Sequence, residues 1–182
     1  MGRKIFIDGG ARLGESIGII KNDITKYLDF EYYLFEPNSE CYEHLRNLEN
    51  TNSKIKFIEG AIWNKNGESD FFIANDVWGD VGSTLHTEKR EKLNRENPLK
   101  VKTYDIVDII GWFSEDDYIV LKLDVEGSEY DIINRLIESN KISNIKEYLI
   151  EWHDHFYDDV NKNRYPLVKE IEKYSQYNDW LY

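Results

Sequence analysis

The sequence predicts an α/β domain: a doubly wound, mostly parallel sheet with helices on both faces. Three observations lead there. Short runs rich in Ile, Val, Phe and Tyr alternate with stretches of helical period, the pattern of repeated strand–helix–strand units. Two of the runs end in an acid followed closely by glycine, Ile5-Phe6-Ile7-Asp8-Gly9-Gly10 and Leu121-Lys122-Leu123-Asp124-Val125-Glu126-Gly127. In an open parallel sheet, ligands bind beyond such strand ends. Finally, 182 residues suit one domain with a sizeable core and are too few for two, so residues 1–182 are read as a single domain.

The first strand is expected at about Lys4 to Asp8, followed after a glycine turn by a helix carrying Ile17, Ile20, Ile24 and Leu28 at helical spacing. A second strand, Glu31 to Glu36, ends at Pro37, and Cys41, Leu45 and Leu48 mark the next helix. A third strand spans about Lys54 to Glu59.

The rhythm then breaks. Asn66-Gly67 is a tight-turn signal between Phe57 to Trp63 and Ser69 to Ala74, which predicts a hairpin-like excursion. Residues Asn75 to Leu99, glycine-dotted and then heavily charged, read as a long loop with one helix, of the kind that forms a substrate lid. Regularity returns with a strand near Lys100 to Tyr104, a short helix over Ile106 to Phe113 and the apolar strand ending at Asp124. Ser128 is placed to cap a helix with Ile132, Ile133, Leu136 and Ile137 inside. A strand from Glu147 to His153, a helix opened by Pro166 with Leu167, Ile171 and Tyr174, and a closing strand over Asp179 to Tyr182 complete the chain.

Charge excludes several partner classes. With 23 basic and 35 acidic side chains the chain carries a formal charge of −12, which repels nucleic acid and anionic membrane surfaces. Lys89, Arg90, Lys92 and Arg95 are interleaved with Glu88, Glu91 and Glu96 and read as a solvated mixed-charge surface. The single cysteine, Cys41, forms no internal disulfide and suits a buried thiol. With no apolar run near the length of a membrane span and a strand almost at the N-terminus, a soluble, cytoplasmic protein is expected.

The first glycine turn lets the backbone approach a ligand and points helix N-terminal amides at it. A dinucleotide fingerprint needs glycines at i, i+2 and i+5; Gly9 and Gly14 fill the ends, but Ala11 holds the middle. An acid at Asp8 repels a diphosphate and suits an ammonium group, so the turn fits a cofactor with an amino-acid tail. Glu36, closing the second strand, is placed for the ribose hydroxyls of an adenosine, which NAD and S-adenosylmethionine share. The plainer reading of Gly9, Gly10 and Gly14 is a tight turn with close helix packing.

Adjacent strands ending in Asp124 and in Glu151-Trp152-His153 would bring two carboxylates and an imidazole into one crevice. Alternation puts Glu151 with His153, and Lys122 with Asp124, on shared faces. Asp124, Glu151 and His153 form an oxygen-rich set that suits Mg²⁺ or Mn²⁺ better than Zn²⁺. Without a metal, His153 could be a general base oriented by a carboxylate. Glu126 and Lys122 join Asp124 and His153 as catalytic candidates, and Asp154 and His155 rank behind them. The plainer reading pairs Asp124 with Lys122 and leaves Glu151 and His153 solvated. Of the five Trp and thirteen Tyr, Trp63 and Trp78 are the aromatics singled out for stacking near the cofactor and lid regions.

Six segments in order resemble the FkbM-type S-adenosylmethionine-dependent methyltransferases: Phe6-Ile7-Asp8-Gly9-Gly10-Ala11, Phe35-Glu36-Pro37, Ala61 with Asn66-Gly67, Gly82-Ser83-Thr84-Leu85, Leu121 to Glu129, and Ile150-Glu151-Trp152-His153. The resemblance implies a Rossmann-like class I methyltransferase that methylates hydroxyls of sugars and related metabolites. It implies that Asp8, Gly10 and Glu36, with Gly9 and Gly14 in the same turn, hold the cofactor, that Gly60, Ala61 and Ile62 lie along its adenine, and that Asp124 and Glu126 line the acceptor pocket. Arg12 stands where such turns often carry Asn. The missing leading helix and closing hairpin suggest a minimal form whose open edge is covered by a partner or a second copy.

The expected activity is therefore O-methylation of a sugar, glycan or related metabolite from S-adenosylmethionine, with a divalent metal assisting. The rivals are a non-catalytic adenosine-cofactor-binding subunit and a small NAD-dependent oxidoreductase. A nucleic-acid methyltransferase ranks last, for want of a basic face.

Overall fold

The computed structural model describes residues 2–74, 82–89, 93–156 and 163–180. In chain order the elements are β1 (Lys4–Gly9), α1 (Glu15–Asn22), β2 (Glu31–Glu36), α2 (Tyr42–Thr51), β3 (Ile55–Glu59), β4 (Ala61–Trp63), β5 (Gly67–Phe71), β6 (Leu99–Asp105), α3 (Ile106–Ile110), β7 (Tyr118–Leu123), α4 (Glu129–Glu138), β8 (Glu147–Ile150), α5 (Arg164–Glu172) and β9 (Gln176–Asp179). Six strands form one sheet in the order β3-β2-β1-β7-β8-β9, with every pairing parallel. The order reverses between β1 and β7, so the crevice of the fold opens beyond the ends of those two strands.

Strand alternation divides the core in two. Ile5, Ile7, Ile119, Leu121, Leu123, Tyr148 and Ile150 face one way, onto Ile106 and Ile109 of α3 and Ile132, Ile133 and Leu136 of α4. Phe6, Val120 and Leu149 face the other way, onto Ile17 and Ile20 of α1 and Leu45 of α2. Period-two burial on both faces is what a sheet covered on both sides requires. Asp8 and Lys122 fall in the same phase as Phe6 and Val120, and are themselves buried.

Several expected elements differ. The first helix stops at Asn22, and Leu28 is 44% exposed in a turn beyond it. The expected hairpin is not one: β4 and β5 do not pair with each other but flank β6 in a second, three-stranded sheet, β4 parallel and β5 antiparallel to it. The strand near Lys100 thus serves this small sheet and not the large one. The helix after it ends at Ile110, short of Phe113. Ser128 makes no cap bond; the Glu129 carboxylate accepts the amides of Val125 and Gly127 instead. β8 ends at Ile150, Tyr174 is exposed beyond α5, and the last strand lies at Gln176–Asp179, with residues 181 and 182 outside the described set.

In the expected lid, the described residues contain no helix. They fold back through the bridges Phe72 to Thr84 and Ala74 to Leu93, which bring residues 82–89 toward the strand ends of the large sheet. Lys89, expected on a solvated surface, is fully buried; Arg90 and Lys92 lie outside the described residues, as does Trp78. Cys41 is a buried free thiol, as its pattern suggested. No described helix is long and apolar enough to cross a membrane.

Candidate functional site

A crevice of about 700 Å³, open mouth included, lies where the sheet order reverses. Its wall is formed by Gly10 and Arg12 after β1, Glu36 to Asn38 after β2, Ala61 and Ile62 of β4, Phe71, part of the 82–85 segment, and Asp124 to Glu126 with Ser128 after β7. Of the residues singled out as cofactor ligands, Gly10, Glu36, Ala61 and Ile62 border it; Asp8, Gly9 and Gly14 do not.

The glycines are demanded by packing. Gly10 has φ 76°, and a Cβ there would stand 1.9 Å from the Asp124 carbonyl oxygen, where the turn after β1 passes the end of β7. Gly14, φ 78°, sits against Leu48 of α2. Gly9 is close-packed as well: a Cβ there would meet the side chains of Leu123, Ile62 and Val125 at 3.1–3.4 Å.

The amides of the turn are committed. Those of Gly10 and Ala11 both donate to the Phe35 carbonyl, at 3.1 and 3.0 Å, that of Arg12 to Glu36 Oε2 at 2.8 Å, and that of Leu13 to Glu15. They do not present a run of donors to a ligand, as the sequence reading expected, because β2 and the acids beside the turn reach them first. Glu36 Oε1 accepts the Asn38 amide at 2.7 Å. The Glu36 carboxylate is thus buried, held by two backbone donors and set into the crevice wall.

Asp8 departs most from expectation. Its carboxylate accepts the Ser16 hydroxyl and meets Lys122 Nζ at 3.0 Å, and neither side chain borders the crevice. Lys122 also donates to the Gly10 carbonyl and lies 3.6 Å from Asp124. Burial alone would lower its pKa, but Asp8 and Asp124 override that and raise it above the ordinary lysine value. The two carboxylates thus favour the charged form of Lys122.

Behind the Asp124 and Glu126 of the crevice wall, His153 collects carboxylates; His153, Glu129 and Glu151 do not themselves border the crevice. Its Nδ1 is 2.8 Å from Glu129 Oε1, while Nε2 lies 3.4 Å from Glu126 and 3.8 Å from both Asp124 and Glu151. His153 is buried in the segment just past β8, so Glu151 and His153 come together without belonging to the strand that was expected to align them. Ligand atoms of Asp124, Glu126 and His153 all fall within 4.8 Å of one another, a spacing that could hold a metal ion. Glu126 thereby enters the set that the sequence reading built from Asp124, Glu151 and His153. Burial would lower the His153 pKa, but Glu129, Glu126 and Asp124 raise it from 6.5 to about 9. Burial likewise raises Glu126, with His153 and Lys89 opposing, and raises Glu151, with Asp124 adding to it.

Three contributors were missed. Glu129 is fully buried and ties the turn amides to His153, yet an acid in the first turn of a helix is so ordinary that it carries no signal of its own. Lys89 Nζ donates to Glu126 Oε2 at 2.6 Å and to the Gly82 carbonyl at 2.7 Å, a role its charged neighbours in sequence conceal. Thr84 Oγ1 donates to the Glu126 carbonyl at 2.8 Å. Glu126 itself has φ 56°, followed by Gly127 at 106°, a left-handed pair that aims its carboxylate at the cluster. His155 stacks at 6.4 Å from His153, and Trp63 packs on His86; neither His155 nor Trp63 borders the crevice.

A mostly parallel, doubly wound sheet with a crevice at its reversal point, an acid at the end of β2 and a carboxylate–imidazole cluster past β7 defines a Rossmann-like α/β domain. The methyltransferase FkbM domain model matches residues 10–181, and the chain belongs to that family. The crystal structure of methyltransferase FkbM from Methylobacillus flagellatus KT is similar in fold, with a TM-score of 0.55 and 22% identity over 95% of this chain. The chain spans 38% of the length of that protein. No curated protein matches it.

Proposed function

We propose that this domain is an S-adenosylmethionine-dependent O-methyltransferase acting on a hydroxyl of a sugar, glycan or related metabolite, with a divalent cation assisting. The observation that carries the reading is a single crevice wall that holds both the buried, backbone-held Glu36 carboxylate and Asp124 and Glu126, the two carboxylates of the Asp124–Glu126–His153 cluster. Family membership supports methyl transfer.

The residues fit both groups. Glu36 has its carboxylate fixed for a ribose diol, Gly10 leaves the wall without a side chain, and Ala61 and Ile62 offer an apolar face to a base. The committed amides of residues 10–13 leave little for a diphosphate, which disfavours the NAD reading. Asp124, Glu126 and His153, with Glu151 beside them, are a hard donor set of the kind that takes Mn²⁺ or Mg²⁺. Glu129 holds Nδ1 of His153 and so leaves Nε2 as the ligating nitrogen.

S-adenosylmethionine supplies an activated methyl group on sulfur, and a bound divalent cation supplies Lewis acidity that makes an alcohol oxygen more nucleophilic. The chain's own residues position the reactants. Glu36 fixes the cofactor end, Asp124 and Glu126 receive the acceptor hydroxyl, and a neighbouring carboxylate takes its proton as the oxygen attacks. Without a metal, the carboxylates around His153 favour its protonated form, which disfavours it as the base.

Calorimetry with S-adenosylhomocysteine tests the donor, and transfer of labelled methyl to a panel of methyl glycosides tests the reaction. Absence of binding refutes the reading outright. Binding without transfer to any acceptor, and without effect of Asp124→Ala, would favour a non-catalytic subunit. Transfer unaffected by chelation would remove the cation.

A further inference from the structure

Ser128 borders the crevice, is 1% exposed, and its hydroxyl has no hydrogen-bond partner. The reason is local. A serine just before a helix normally has extended dihedrals and accepts an amide of the first turn, but Ser128 already has helical dihedrals, φ −78° and ψ −8°, and makes no cap bond. A buried hydroxyl with no partner is destabilising, and folded proteins keep few of them.

We propose that the Ser128 hydroxyl is an acceptor-binding group that hydrogen-bonds a second oxygen of a polyhydroxylated acceptor, while a neighbouring hydroxyl of the same molecule is presented to Asp124 and Glu126. The inference rests on the O-methyltransferase reading. Ser128 stands in the same stretch after β7 as Asp124 and Glu126, and all three border the crevice. Because the hydroxyl makes no bond in the free protein, rotating it about χ1 toward the crevice sacrifices none. A hydroxyl both donates and accepts, so it suits a polyol oxygen in either sense. It also discriminates: a site with a polar group waiting for a ligand oxygen rejects the deoxy analogue more strongly than an apolar wall would.

The test is Ser128→Ala with three readouts. Thermal unfolding of the free variant should match or exceed the wild type, because an unsatisfied group has been removed; a clear loss of stability would reveal a protein partner and overturn the proposal. Calorimetry with S-adenosylhomocysteine should be unchanged within about twofold, and a larger loss would move Ser128 to the donor side. Saturation-transfer NMR with glycerol and methyl α-D-glucopyranoside, recorded with S-adenosylhomocysteine present, should show binding to the wild type weakened about fivefold or more in the variant. Equal signals, or no polyol signal from the wild type, overturn it. Failure of the wild type to bind S-adenosylhomocysteine would instead sink the methyltransferase reading.

Discussion

Asp8 and Lys122 are register partners across the parallel pair β1/β7, and their charged groups meet 3.0 Å apart with both side chains buried. Residues paired in register point to the same face of a sheet, so a strand ending in Asp8 beside one carrying Lys122 brings the two charges together on the α1 side, beside Ser16. Removing one partner strands the other in the core. Lys122→Met and Asp8→Leu are each expected to cost about 3–5 kcal/mol in urea denaturation, and the double variant to recover most of that loss. Additive losses in the double-mutant cycle would show that the pair is not coupled.

Glu36 is expected to act on binding more than on folding. Its two oxygens each hold one backbone amide, and it faces the crevice. Glu36→Gln replaces one acceptor oxygen by a donor and removes the charge, so affinity for S-adenosylhomocysteine should fall about tenfold or more, in keeping with the loss of a charge-assisted hydrogen bond. Calorimetry measures it, and an unchanged affinity would exclude Glu36 as a ribose ligand.

Much of this was legible in the sequence for physical reasons. β1, β2 and β7 are largely apolar on both faces and carry an acid at or next to their last residue, which points to their type, their burial and the place of the crevice. What misled was sequence adjacency. β4 and β5 look like a hairpin across Asn66-Gly67, but β6, which begins only at Leu99, enters between them, and no local pattern announces that. Asp8 and Lys122 were read separately as cofactor and catalytic groups because the register that pairs them is set by the sheet. Lys89 looked solvated among glutamates, whereas its contact with Glu126 depends on the chain folding back through the Phe72–Thr84 bridge.

His153 gives a pH dependence with a definite sign. Its pKa is raised from 6.5 to about 9 against Glu129, Glu126 and Asp124, with Glu151 alongside and Lys89 bound to Glu126. A raised pKa means that protonated His153 stabilises the metal-free fold fully below about pH 6.5, and that this contribution fades as pH rises through about 9. A cation at Nε2 competes with that proton, so Mn²⁺ affinity should increase up to about pH 9, with close to one proton released per ion at neutral pH. Calorimetry in buffers of different ionisation enthalpy counts the proton. Glu129→Gln should weaken Mn²⁺ about 10–100-fold by freeing the imidazole, and no change there would deny Glu129 its orienting role.

Lys89 and Glu126 should prove coupled in holding residues 82–89 over the crevice. Two bonds from this segment reach Glu126: Thr84 Oγ1 to its carbonyl, and Lys89 Nζ to its carboxylate. Lys89 also closes the segment on itself through the Gly82 carbonyl. Losing the ammonium leaves a largely buried carboxylate beside Asp124, and losing the carboxylate leaves a fully buried ammonium. Either change should free the segment locally before the sheet unfolds. Hydrogen exchange of the peptide covering residues 82–89 should therefore accelerate about tenfold or more in both Lys89→Met and Glu126→Gln, with Lys89→Met/Glu126→Gln no faster than the quicker single variant. Exchange in β1 and β7 should stay slow. Acceleration that adds across the two changes, or that spreads to the central strands, would mean that the segment is held by other contacts.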